Sequence, residues 1–432
     1  MKELIGRIYN RPKTGTYLSW IKLFAITGSA QLLVQVFGFI SGIIVLRILP
    51  ISEYALYTLA NTMLGTMTVL ADGGVAAGTM ASGAKVWKDK EKLGTVMASA
   101  MYLRKRFAIV SLLVAIPLLI YLLRHHHASW IMTVLIVLSL IPAFFAAISD
   151  SILEIVPKLW QDIPALQKNQ VSVNMARLAM LGLTLFIFPW TAVAILSSGL
   201  PRIWGNFKLR SVASKYADKD QQPDAEIKKE ILVVVKRILP TSIYYCISGQ
   251  ITIWIISIFG STTAVGQVGG LGRLSMMFTI FSTLFATLIG PRFARLPSEK
   301  SLITKRFIII QALLFGLCAF LLLFIYIFSK EFLWVLGKSF SGLTKELMFV
   351  AIGGSIGLIS SSTNQLLTGR SLVVPPVLFI SCTIAVQIII AFILPLNNII
   401  GVLEYGILTT AAIYLIRIFY FFITLRRNEN YL

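Results

Sequence analysis

The amino-acid sequence predicts an all-α polytopic membrane protein with about twelve transmembrane helices in two six-helix lobes. Three observations carry this expectation. Of the 432 residues, 57% are hydrophobic and only 13% charged, against roughly 45–50% and about 25% in soluble domains. Apolar stretches of roughly 20 residues, enough to cross hydrocarbon, recur from residue 23 to residue 425. The longest polar stretch, "KLRSVASKYADKDQQPDAEIKKEILVVVKRI" at 208–238, divides them into six and six.

The expected spans are 23–46, 54–75, 106–123, 130–149, 172–189, 191–207, 240–259, 264–290, 307–328, 347–368, 372–394 and 399–424. The fifth and sixth are separated only by a tight hairpin at Pro189 and Trp190. Residues 1–207 are expected to form the N-terminal lobe, 208–238 a cytoplasmic linker and 239–432 the C-terminal lobe. Secondary transporters are commonly built from two such repeats with the substrate site between them. A shift of about 211 positions sets "EYALYTLANT" against "AVGQVGGLGR", a match of pattern rather than identity.

Charge orients the spans. With a cytoplasmic N-terminus, only Arg47, Arg124, Lys330, Lys338 and Lys345 fall in loops on the outer side. Short loops with that bias place both termini in the cytoplasm. The net charge of +21 therefore reads as a positive-inside signature together with attraction to anionic lipid headgroups. It does not read as a nucleic-acid footprint, because no basic patch is interleaved with exposed aromatics in a soluble segment. The first twenty residues are basic and polar, and no cleavable signal peptide is expected.

Catalysis and cofactors find no support in these residues. The chain has no Walker A sequence and no helical metal-ligand spacing, and its loops are too short to house a transferase or polymerase site. Cys246, Cys318 and Cys382 lie in three different apolar stretches and read as small core hydrophobes. The adjacent histidines of "RHHHASW" at 124–130 belong to a short outer loop.

Polar residues recur on single helix faces, at steps of three and four. Examples are Gln31, Gln35, Gly38 and Gly42; Asn61, Gly65, Thr68 and Asp72; and Gly353, Gly357, Ser360 and Asn364. Ser198, Arg202 and Gly205 form another, as do Ser242, Tyr245, Gly249 and Thr252. The glycines and serines read as contacts that let helices approach closely. The amides and charges read as the lining of a wet cavity, because an intramembrane ionisable group is costly unless it is used.

The ionisable candidates are few. Asp72 ends the second span, Asp150 and Glu154 end the fourth, and Glu404 lies near the outer end of the twelfth. Arg177, Arg202, Arg273 and Arg417 lie in the fifth, sixth, eighth and twelfth spans. Asp150, Glu154 and Arg177 can snorkel to the inner interface. Arg273 sits about nine residues below the outer end of its helix, too deep for comfortable snorkelling.

Several segments resemble one family. "GFISGIIVLRILPISEYALYTLANTM" is similar to the opening of polysaccharide (O-antigen) flippases, the oligosaccharidyl-lipid branch of the MATE-like multidrug/oligosaccharidyl-lipid/polysaccharide exporter superfamily. "LADGGVAAGTMASGAKVWKDKEKLGTVMASAMYLR" resembles their Asp-x-Gly end of the second helix and the basic linker that follows. "AVGQVGGLGRLSMMFTIFSTLFATLIGPRFARL" resembles their eighth helix with its Pro-Arg exit. "FLWVLGKSFSGLTKELMFVAIGGSIGLISSSTNQLLTGR" resembles their ninth-to-tenth connection. Ala55 stands where that family usually has glycine, and a count of twelve spans argues against its fourteen-helix lipid II branch.

The resemblance implies a V of two six-helix lobes around a central cavity, working by alternating access in the bacterial cytoplasmic (inner) membrane. The implied substrate is an undecaprenyl-diphosphate-linked oligosaccharide for surface polysaccharide, as in lipopolysaccharide O-antigen or capsule. The implied partners are membrane lipids, a polysaccharide polymerase and glycosyltransferases. Arg47 and Glu53 would fix the outer turn between the first two spans, and Asp72 would cap or gate the inner side. The substrate-binding candidates are Arg47, Asn61, Arg202, Arg273 and Asn364, and the ion-coupling candidates are Asp72 and Glu404.

Two functions then compete. A diphosphate bearing sugars cannot cross hydrocarbon unaided, and a cationic, hydroxyl- and amide-lined cavity would replace its hydration shell. The alternative is an ion-coupled small-molecule or multidrug antiporter on the same fold. An exporter of cationic drugs is expected to carry acidic cavity residues, whereas here arginines predominate among the deep candidates.

Overall fold

The computed structural model describes residues 12–427 except 291, 292, 294, 295, 298, 371 and 373. Side chains are described from Gly28 to Leu425, those of positions 245, 287, 288 and 369 excepted. The side chain of Tyr245 and the Pro291–Arg292 exit of the eighth span thus lie outside the described residues.

Of the described residues 87% are helical, and none is in a strand. The first half comprises α1 (Pro12–Ile48), α2 (Ile51–Asp72), α3 (Val75–Val86), α4 (Lys90–His125) and α5 (Trp130–Leu153). It continues through α6 (Ile155–Leu159), α7 (Ile163–Leu185) and α8 (Thr191–Ala213). The second half comprises α9 (Ala225–Phe259), α10 (Thr262–Leu271), α11 (Met276–Leu288), α12 (Lys300–Ile327) and α13 (Ser329–Leu336). It ends with α14 (Thr344–Gly369), α15 (Pro376–Ile393) and α16 (Ile399–Arg427).

Every expected span coincides with one of these helices. The eighth alone is interrupted, by a 3-10 turn over Gly272–Ser275 between α10 and α11. Among the described residues nine helical stretches are long and apolar enough to cross a membrane. The expected spans outside that set are α2, α7 and α8, which carry polar runs such as "QKNQVSVNMAR".

The expected linker at 208–238 is shorter than its polar composition suggested. Helix α8 runs on to Ala213 and α9 begins at Ala225, so only 214–224 lie outside helix. Helices α4, α7 and α9 likewise start before their apolar stretches, at Lys90, Ile163 and Ala225. Leaving hydrocarbon changes which side chains a helix carries without breaking its backbone bonds.

Two compact units emerge. One comprises 1–41, 64–118 and 134–243; the other comprises 42–63, 119–133 and 244–432. Their bounds do not follow the expected lobes, because the hairpin tips at 42–63 and 119–133 are grouped with the second half of the chain.

In the first unit, α4 buries Leu93, Met97, Ala100 and Leu103 against Ile152, Val156, Leu209, Ala213, Ile231 and Val235. The opposite side of α4 exposes Ile109, Val110, Leu113 and Val114. A helix apolar on both sides suits a lipid surrounding. Gly73 (φ 49°) and Gly74 (φ 98°) make the turn from α2 to α3. A Cβ on either would stand 2.9 Å from Leu239 or Ile238, so this turn requires glycine twice over.

In the second unit, α14 packs against α16, α12 and α11. Helix α12 buries Ile303, Phe307, Gln311, Leu314, Cys318, Leu321 and Ile325, at steps of three and four. Phe307 stacks on Phe421 at 4.1 Å between ring centroids. The other side of α12 exposes Leu313, Phe320 and Leu323, and α15 exposes Val377, Phe392 and Ile393. These are lipid-facing surfaces by composition.

Candidate transport site

Arg273 occupies the 3-10 turn of the eighth span, a departure from α-geometry of the kind that often marks a functional hinge. The turn follows a glycine-rich stretch whose missing side chains let α2 come close. A Cβ on Gly266 would lie 2.8 Å from the Ile51 carbonyl oxygen, and one on Gly269 would lie 2.4 Å from the Thr58 hydroxyl. The stripe of small residues in "AVGQVGGLGR" is therefore a helix–helix contact, as small residues in membrane helices usually are.

That contact delivers α2 to the arginine. Arg273 Nε donates to the Tyr54 hydroxyl at 3.1 Å, and Tyr54 in turn donates to the Gly269 carbonyl at 3.4 Å. The guanidinium carbon lies 5.9 Å from the centre of the Tyr57 ring. Gly42 completes the slot, since a Cβ there would stand 3.2 Å from Arg273 Cδ. Tyr54 and Tyr57 belong to the acidic-aromatic-small-x-Tyr stretch that carried the resemblance, yet neither was among the predicted site residues.

Of the remaining candidates of the second unit, Asn61 alone is bonded to a residue of this cluster by a described contact. Arg47 Nε donates to the Val335 carbonyl at 2.8 Å, an Nη donates to the Trp334 carbonyl, and the guanidinium lies 4.7 Å above the Trp334 ring. Asn61, one turn beyond Tyr57, donates to the Tyr57 carbonyl at 2.9 Å. Asn364 is half-buried on α14, and its carbonyl accepts from Thr368 at 2.8 Å. Glu404 is half-buried near the start of α16. Arg417 is buried and donates to the carbonyl and hydroxyl of Ser360 at 3.1 and 2.9 Å.

In the first unit the acids are engaged. Asp72 accepts from an Nη of Arg104, whose other Nη donates to Ser151 Oγ at 2.6 Å. Asp72 also accepts from the amides of Gly74 and Ala76, at 3.4 and 3.2 Å. Asp150 accepts from Arg202 Nε at 3.0 Å and from Asn206 Nδ2 at 2.7 Å. Glu154 accepts from Lys158 at 2.8 Å and Gln170 at 3.1 Å. Arg104 was not among the predicted site residues: it opens the basic run Arg104-Lys105-Arg106, and composition does not tell which member of such a run is buried.

One further cluster was missed. His126, in the turn between α4 and α5, lies within hydrogen-bonding distance of Ser257 Oγ (2.9 Å, from Nε2) and Thr262 Oγ1 (3.0 Å, from Nδ1). Burial, and then the charge of neighbouring His125, push its imidazole below the ordinary histidine value.

Neither a protein-family model nor a curated protein matches the sequence. Solved structures do match the fold. An inward-facing multidrug resistance MATE-family transporter of the MOP superfamily aligns with TM-score 0.70 and 15% identity, over 92% of this chain and 96% of its own. An outward-facing multidrug resistance MATE-family transporter aligns with TM-score 0.59 and 14% identity, over 94% and 95%. A MOP-superfamily transporter from Pyrococcus furiosus, described as having a binding pocket of reversed polarity that suggests a different function, aligns with TM-score 0.53 and 13% identity, over 94% and 95%. The chain therefore has the MATE transporter fold, and it is a multi-pass membrane protein.

Proposed function

We propose that this protein is a flippase that moves a lipid-linked, undecaprenyl-diphosphate-type oligosaccharide across the bacterial cytoplasmic membrane by alternating access. The observation that carries the reading is the unequal use of intramembrane charge. Asp72 and Asp150 are engaged by Arg104 and Arg202, whereas Arg273 is held through Nε by a tyrosine hydroxyl. An arginine positioned by a neutral partner keeps its positive charge for an arriving anion, and its planar donors suit a diphosphate. The small, apolar and aromatic neighbours of that arginine fit a substrate with a polyprenyl tail. Acids already paired with arginine are poor binders of cationic drugs, and this weighs against a multidrug antiporter despite the multidrug transporters among the similar structures.

The test is surface glycan display in cells whose own copy of the gene is deleted. Wild-type protein should restore display, and Arg273→Gln should not, at equal membrane level. Normal display without the protein, with loss only of cationic-dye efflux, would favour the antiporter.

A further inference from the structure

A cavity of about 580 Å³ opens in the first unit, where α4, α5, α6 and α8 meet the segment after α8. It belongs to none of the residues discussed as transport candidates. Its inner wall is apolar, formed by Met97, Met101, Leu153, Val156 and Ala213. Its rim is basic: Lys105 from α4, Arg210 from α8 and Lys219 from the linker all line it, and all three are exposed. The apolar stretch of α4 begins just past Lys105, and that of α8 ends just before Lys208. The cavity therefore lies at the level where two spans leave hydrocarbon, on the face that carries the linker.

The lining contains one acid, Asp218, and its carboxylate is occupied. It accepts from Gln221 Nε2 at 2.8 Å and from the Asp220 amide at 3.1 Å, and these bonds hold it below the usual carboxylate range. The Asp218 backbone is part of the wall itself. Its amide donates to the Lys90 carbonyl at 3.0 Å, and its carbonyl oxygen would lie 2.2 Å from a Cβ on Gly94. Glycine at 94 thus lets the linker close directly on α4. Arg210 is braced from behind, its Nε donating to Asn206 Oδ1 at 3.1 Å.

We propose that this cavity binds an anionic phospholipid. The phosphate would sit among Lys105, Arg210 and Lys219, and the first methylenes of one acyl chain would rest on Met97, Met101, Leu153 and Val156. Charge complementarity selects the headgroup, and the apolar wall behind the basic rim selects a lipid over a soluble anion; basic pockets between helices on the cytoplasmic side characteristically hold such headgroups. The proposal does not rest on the flippase reading. Because Asn206 also holds Asp150, the lipid would touch the polar network that fixes Arg202.

The test uses the full-length protein in detergent, with lipid adducts counted by native mass spectrometry. The probes are phosphatidylglycerol, phosphatidylcholine with the same acyl chains, and glycerol phosphate. Wild type should retain phosphatidylglycerol in preference to the other two. Lys105→Gln with Lys219→Gln, both exposed positions, should weaken that binding on the order of tenfold. Ala98→Phe should do the same by filling the cavity without changing charge. Equal retention of phosphatidylcholine, wild-type binding by the double variant, or binding of glycerol phosphate as tight as that of the lipid would overturn the proposal.

Discussion

Asp72 and Arg104 form an asymmetric ion pair: the arginine side chain is 3% exposed, the carboxylate 35%. Arg104 Nε, moreover, is buried with no partner among the described residues. The two halves of the pair should therefore respond differently to mutation. Asp72→Ala strands a buried guanidinium and should cost about 3–5 kcal/mol. Arg104→Met leaves a partly solvated carboxylate that still caps α3, and should cost about 1–2 kcal/mol. Thermal unfolding of the purified variants decides the matter, and the reverse order would refute the asymmetry.

Arg273 separates charge from geometry. Lysine keeps the charge but cannot offer the planar fork. Arg273→Lys should lose most glycan export while its membrane level stays near wild type. Tyr54→Phe removes the hydroxyl that receives Nε and should lower stability by about 1.5–3 kcal/mol, the range for hydrogen bonds to charged groups. If Arg273→Lys exports normally, Arg273 is a structural residue.

His126 makes a pH prediction with a definite sign. Its folded value lies below its unfolded one, so the neutral ring is the form that stabilises the fold. That contribution is complete above pH about 6.5 and is lost as pH falls through the lower folded value. His126→Asn should narrow the difference in melting temperature between pH 7.5 and pH 5. An unchanged difference would show that His126 does not titrate in this range.

Two glycines provide a matched test of helix approach. Gly266→Ala pushes a methyl group against the backbone oxygen of Ile51 and should cost about 1–3 kcal/mol. Gly316 on α12 has nothing within 4 Å of its Cβ position. Gly316→Ala should be neutral or stabilising by up to about 1 kcal/mol, from helix propensity alone. Equal unfolding temperatures for the two variants would contradict the close approach of α2 to α10.

Topology can be read by labelling single cysteines placed at His127, Lys215 and Ser341 in a background without the native three. All three positions are exposed. With cytoplasmic termini, a membrane-impermeant thiol reagent applied to intact cells should reach 127 and 341 but not 215. Labelling at 215 would invert the orientation.

The sequence by itself determined the helices, because only helices and closed barrels satisfy a backbone in hydrocarbon, and apolar runs of about twenty residues announce helical crossings. It also singled out Arg273, Asp72, Asp150 and Arg202, since every charge in hydrocarbon demands an explanation. Its glycine stripes gave a mixed outcome: Gly42 and Gly205 stand against Arg273 and Val173, whereas Gly38, Gly249 and Gly357 have open space where a Cβ would be. Only the tertiary structure decided the pairings: Asp72 meets Arg104 across 32 residues of chain, and Arg273 meets Tyr54 across 219. No local pattern encodes such distances. The basic run Arg104-Lys105-Arg106 does not reveal its buried member, because composition reports how polar a stretch is, while burial depends on which helix folds over it. The same holds for the cavity near Lys105, whose apolar wall and basic rim come from five separate segments and exist only once those segments have packed.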